Sequence, residues 1–125
     1  MNRLAVARRS VFTAFLSATF LAAAACHSYH VDTTVENRTG AAIQLLEVDY
    51  PSASFGADHI ASGAIYHYRF QIRGSGPLKI TYTAADNKQI QIDGPTLVER
   101  QEGQLKIVLQ PDGKAQFIPQ LTPAS

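Results

Sequence analysis

The segment AIYHYRFQI, residues 64–72, constrains the rest of the chain more than any other. Ala64, Tyr66, Tyr68, Phe70 and Ile72 share one parity, while His67, Arg69 and Gln71 share the other; Ile65 alone is out of step. A period of two describes an extended strand with one buried face. It does not fit an amphipathic helix, whose apolar residues return every three to four positions. The same alternation recurs in PLKITYTA (Leu78, Ile80, Tyr82), KQIQID (Ile90, Ile92), QLKIVLQ (Leu105, Ile107, Leu109) and YHVDTTVEN (Val31, Thr33, Val35). No segment after residue 26 has a convincing helical period.

AAIQLLEVDY departs from the rule. Ile43 and Leu45 share one parity, and Leu46, Val48 and Tyr50 the other. A regular strand sends these sets to opposite faces, so the segment predicts either a β-bulge near Leu45 and Leu46 or burial on both faces. Between the strands, ENRTGA, SGA, RGSGP and ADNK read as turns. QPDGKA is a hairpin signal, because Asp-Gly tolerates the positive φ angles that match strand twist. It joins the strand ending at Leu109 to a last strand containing Phe117.

Seven or eight short strands at near-even spacing, without a helix or an internal repeat, predict an all-β fold: a small immunoglobulin-like antiparallel β-sandwich over 31–118, with a small barrel as the second choice. VENRTGAAI and IASGAIYHYRF resemble strand-turn-strand segments of small bacterial immunoglobulin-like modules. PQLTPAS, residues 119–125, reads as a flexible tail. The expected core is Val35, Ile43, Leu45, Tyr66, Tyr68, Phe70, Leu78, Ile80, Tyr82, Ile90, Ile92, Leu105, Ile107, Leu109 and Phe117.

The first 25 residues have a different character. Arg3, Arg8 and Arg9 give a positive start, and no charge occurs from Val11 to Ala25. That run is shorter than the roughly 20 residues a spanning helix needs, and it fits the apolar region of an export signal removed on maturation. It ends in Ala23-Ala24-Ala25-Cys26, which holds the only cysteine of the chain. The arrangement resembles bacterial lipoprotein signal peptides, in which small residues precede the cysteine that receives lipid. The resemblance implies cleavage after Ala25, lipid attachment at Cys26, and residues 26–30 as a lipidated start and tether. It also implies a place in the bacterial cell envelope. His27 stands where an Asp would retain the protein at the inner membrane, so the expected site is the outer membrane, facing the periplasm. Ala23-Ala24-Ala25 is equally an A-x-A site for ordinary signal peptidase, and an uncleaved anchor is the third alternative.

Charge and motifs narrow the function. With Arg3, Arg8 and Arg9 removed, eight Lys and Arg face ten Asp and Glu, and no basic run survives to neutralise phosphates; a nucleic-acid partner is not expected. No glycine-rich loop precedes a helix, no G-x-S-x-G elbow is present, and Asp58-His59 with a nearby serine is too generic to define a triad. Glu47/Asp49 and Glu99/Glu102 read as solvated carboxylates. The chain is therefore expected to be a non-catalytic binding or structural module with no cofactor and no small-molecule substrate. The alternative is a copper or zinc carrier using His27 and His30 close to Cys26, with a small hydrolase less favoured. Tyr66, Tyr68, Phe70 and Tyr82 read as core. Tyr50 and Phe55 bracket YPSASFG and are expected in an exposed loop, as a contact for an envelope protein.

Overall fold

A computed structural model describes residues 27–123. The signal segment, Cys26 and the last two residues lie outside the described residues. Eight strands follow one another: β1 (Val31–Asn37), β2 (Ile43–Tyr50), β3 (Ala53–Ile60), β4 (Ile65–Phe70), β5 (Gly76–Thr83), β6 (Gln89–Leu97), β7 (Gly103–Gln110) and β8 (Lys114–Leu121). Among the described residues the single helical turn is a three-residue 3₁₀ segment, Pro111–Gly113, inside the β7–β8 hairpin. There Asp112 and Gly113 both take positive φ, as Asp-Gly predicted.

The strands form two four-stranded sheets, ordered β4-β1-β7-β8 and β3-β2-β5-β6. Three hairpins, β2–β3, β5–β6 and β7–β8, stay within a sheet, and every other connection crosses between sheets. The result is an immunoglobulin-like β-sandwich, antiparallel except that β1 runs parallel to β7, from Val31 opposite Gly103 to Asn37 opposite Leu109. Between the sheets lie Val31, Val35, Phe70 and Ile72 with Leu105, Ile107 and Leu109 from one side. From the other come Ile43, Leu46, Val48, Phe55, Ile60, Leu78, Ile80, Tyr82 and Leu97. All eight strands and this core fall between Val31 and Leu121.

The bulge in β2 is present. Its pairing with β5 shifts between Gln44 and Glu47, and Leu45 takes φ +52°. The bulge brings Ile43 of one parity and Leu46 and Val48 of the other inward, but not Leu45. It resets the alternation, so that Leu45, the inserted residue, is 64% exposed. Leu45 therefore does not belong to the core.

Two further expectations change. The stretch YPSASFG, expected as an exposed loop, becomes strand at Ala53, and Ala53–Ile60 is the edge strand β3. It has little apolar content, and it is held by backbone pairing to β2 with only Phe55 and Ile60 fully inward. Gly56 suits this strand because a Cβ there would stand 2.2 Å from the Leu46 carbonyl oxygen. At the other end of the chain, β8 continues through Pro119, Gln120 and Leu121, which pair with Leu105, Gln104 and Gly103. Three residues of the expected tail are thus part of the sheet.

Candidate functional site

The topology gives the sandwich two poles. Odd-numbered strands begin and even-numbered strands end at one pole, and the chain enters there through His27–His30. The opposite pole gathers the β1–β2 and β3–β4 connections and the β5–β6 and β7–β8 hairpins.

At the far pole, Asn37 is fully buried although it is polar. Its amide nitrogen donates to the carbonyls of Ala41 (2.8 Å), Ile60 (3.0 Å) and Ala61 (3.2 Å). Its amide oxygen accepts from the backbone and hydroxyl of Thr39. One side chain thus fastens the β1–β2 loop to the β3–β4 turn, where the Asn37 carbonyl also accepts from Gly63 N–H at 2.7 Å. Beside this junction a concave site of about 610 Å³ opens between the loops. Ile43, Tyr82 and Ile90 form its apolar floor, and Asp86, Lys88 and Asp112 stand on its rim. Burial raises the Tyr82 hydroxyl above its ordinary range. An apolar floor with a few polar groups suits non-covalent binding.

Glu36 lies on the outer face of β1 near the same pole. Its side chain is largely covered, with Arg38 Nε at 2.8 Å and Lys106 Nζ at 3.7 Å. The hydrogen bond from Arg38, together with the charges of Arg38 and Lys106, holds this carboxyl below the usual carboxylate range. On the outer face of the other sheet, Glu47 is pushed upward by its hydrogen bond to Asp49 and by that residue's charge. The two carboxylates do meet, in the open, on a strand surface.

At the near pole the histidines take separate partners. His27 Nε2 meets Glu102 Oε2 at 3.0 Å. His30 Nε2 lies 3.2 Å from Gln71 Nε2, and its Nδ1 is buried without a hydrogen-bond partner among the described residues. No group of three or more His, Cys, Asp or Glu side chains is placed to hold a metal among the described residues; Cys26, the third member of the expected cluster, is outside them. Asp58 and His59 are both exposed on β3, and no hydrogen bond joins them to a serine among the described residues.

Tyr50 and Phe55 do not form an exposed loop pair. Tyr50 ends β2, half-buried, and Phe55 is only 6% exposed. The Phe55 ring stacks on Tyr68 with centroids 4.3 Å apart, and Tyr50 packs on Phe70 at 4.1 Å. Both therefore belong to an aromatic seam that closes the edge between β3 and β4, and Tyr68, expected in the core, is 37% exposed. The Tyr66 hydroxyl completes the seam by donating to the Gly56 carbonyl at 3.0 Å. Sequence reasoning also passed over Arg73 and Arg100. They stand in turns 27 residues apart, and only the common pole brings them to one depression with His27 and Tyr29.

No family model matches the chain, and no curated protein matches it. Among solved structures, the NMR structure of a protein from Eubacterium rectale is similar, with a TM-score of 0.54 at 12% identity. The match covers 73% of this chain and 88% of that one. At that identity the likeness concerns the fold alone.

Proposed function

We propose that this protein is a lipid-anchored, non-catalytic binding module of the bacterial cell envelope. Cys26 carries the lipid, and the far-pole loops face away from the membrane. One observation carries the reading: the folded unit starts almost immediately after the lipoprotein-type cysteine, with β1 beginning at Val31, at the pole opposite the 610 Å³ concave site. A lipid at Cys26 therefore holds the near pole at a leaflet and presents the far-pole floor of Ile43, Tyr82 and Ile90 to the periplasm. The outer membrane is the proposed location, because His27 follows the cysteine where an Asp would signal retention.

The anchor's physics is additive. Each acyl CH₂ buried in the bilayer contributes about 0.8 kcal/mol, so one chain binds marginally and two or more hold firmly. The test is the intact mass of the mature chain from the membrane fraction, together with sedimentation after a carbonate wash. The expected product starts at Cys26 with diacylglycerol mass added, and Cys26→Ser releases the protein into the supernatant. An unmodified mature chain, or a Cys26→Ser protein that still sediments, overturns the anchor.

A further inference from the structure

We propose that the near pole is a membrane-apposed face on which Arg73 and Arg100 bind the phosphates of anionic lipid headgroups; this rests on the anchored reading and adds to it a specific orientation and lipid chemistry. The argument begins with the path of the chain. Cys26 is joined to His27 by one peptide bond. His27 is held at Glu102, and the His30 carbonyl accepts from Gly103 N–H at 3.1 Å. Even fully extended, the stretch from Cys26 to Val31 spans no more than about 18 Å. Any lipid on Cys26 therefore leaves the domain at this pole, and the headgroup layer is the surface the pole meets.

The side chains there suit that surface. Arg73 and Arg100 line one depression of about 290 Å³ together with His27, Tyr29 and Glu99. Both arginines are exposed. Neither has a carboxylate within 4.0 Å among the described residues, whereas Arg69 reaches Asp32 at 3.6 Å, Arg38 reaches Glu36, and Lys88 reaches Asp86. Glu102 shares a hydrogen bond with His27, and Glu99 lines the depression beside the two guanidiniums. The Arg100 backbone takes φ +68°, and its N–H donates to the Ile72 carbonyl at 3.4 Å. That bond ties the β6–β7 turn to the β4–β5 connection that carries Arg73. A planar guanidinium matches phosphate with two parallel hydrogen bonds. Tyr29 is exposed beside them, edge-on to His27 with centroids 4.6 Å apart; an amphipathic ring of this kind is favoured at the headgroup level.

The test uses the mature chain, residues 26–125, alkylated at Cys26 with one tetradecyl group. A single chain gives only marginal, reversible binding, so differences due to arginine are readable. Partition is measured on vesicles of phosphatidylcholine alone and of phosphatidylglycerol mixed with phosphatidylcholine. The parent is expected to prefer the anionic vesicles. Arg73→Gln/Arg100→Gln is expected to lose about 25-fold there, roughly fivefold per arginine, and nothing on the neutral vesicles. Lys114→Gln, at the far pole and outside the concave site, is expected to bind as the parent does. Equal binding of the arginine variant and the parent to anionic vesicles overturns the proposal, and so does an equal loss in the far-pole variant. Displacement by inorganic phosphate at constant ionic strength would assign the arginines to a free anion and overturn the membrane assignment. Because the alkyl group is added chemically, none of these results depends on lipid attachment in the cell, which the mass measurement reads separately.

Discussion

The two poles of the sandwich are closed by different means. At the far pole one buried side chain, Asn37, meets five backbone and hydroxyl groups, and the surrounding loops lean on an apolar floor. At the near pole no single residue among the described ones has that role. Its turns are held by separate bonds: Gly103 N–H to the His30 carbonyl, Arg100 N–H to the Ile72 carbonyl, Glu99 N–H to Ser75 Oγ, and Val98 N–H to Gln101 Oε1. A buried amide that satisfies several carbonyls concentrates stability in one place, because its loss strands acceptors away from water. Dispersed, partly exposed bonds leave a pole tolerant of change and free to display charge.

The sharpest way to break this contrast is at Asn37. Asn37→Ala removes the side-chain donor from the buried Ile60 carbonyl and the acceptor from Thr39, while the Ala41 and Ala61 carbonyls keep Thr39 Oγ1 and Ala64 N–H; a loss of roughly 2 kcal/mol is expected in urea denaturation. The near-pole counterpart, Gln101→Ala, removes one bond to a backbone N–H that water can replace, at a cost of about 1 kcal/mol. Equal costs for the two variants would erase the distinction between the poles.

Glu36 sharpens the comparison through pH. Its folded pKa is depressed by Arg38 and Lys106, so its contribution is present above the ordinary carboxylate pKa and lost as pH falls through the lowered folded value. Glu36→Gln should lower the Tm at neutral pH, and the gap from the parent should close in acid. A gap that persists unchanged at low pH would show that the residue acts by packing alone.

The smallest expected effect has the opposite sign. Glu47 has a raised pKa because of Asp49, so the pair opposes folding once pH exceeds the raised value and stops doing so below the ordinary carboxylate pKa. Glu47→Gln should raise the Tm slightly at neutral pH and change nothing in acid. A lower Tm at neutral pH would contradict the repulsion.

The difference between the poles was only partly legible in the sequence. Asn37 was recognisable as a turn residue, but nothing local indicates that its amide is buried against carbonyls more than twenty positions away. Arg73 and Arg100 were ordinary turn arginines until the crossings between sheets placed them side by side. Phe55 was misread for a related reason. Its strand is poor in apolar residues, and its burial comes from Tyr68 and Phe70, which belong to the other sheet. The bulge in β2 was readable as a break in parity. Which leucine it would expel was not, because that depends on the register with β5.

The sequence by itself determined the strands with clean alternation, the hairpins at ADNK and PDG, and the abrupt change of character at Cys26, since each depends on neighbours a few residues apart. Only the tertiary structure decided that Leu45 faces solvent, that ASFGADHI is a strand, that β1 lies parallel to β7, and which side chains share a pole. Those outcomes depend on which distant backbone supplies the hydrogen bonds and which opposing sheet supplies the contacts, and neither is encoded in any short stretch of the chain.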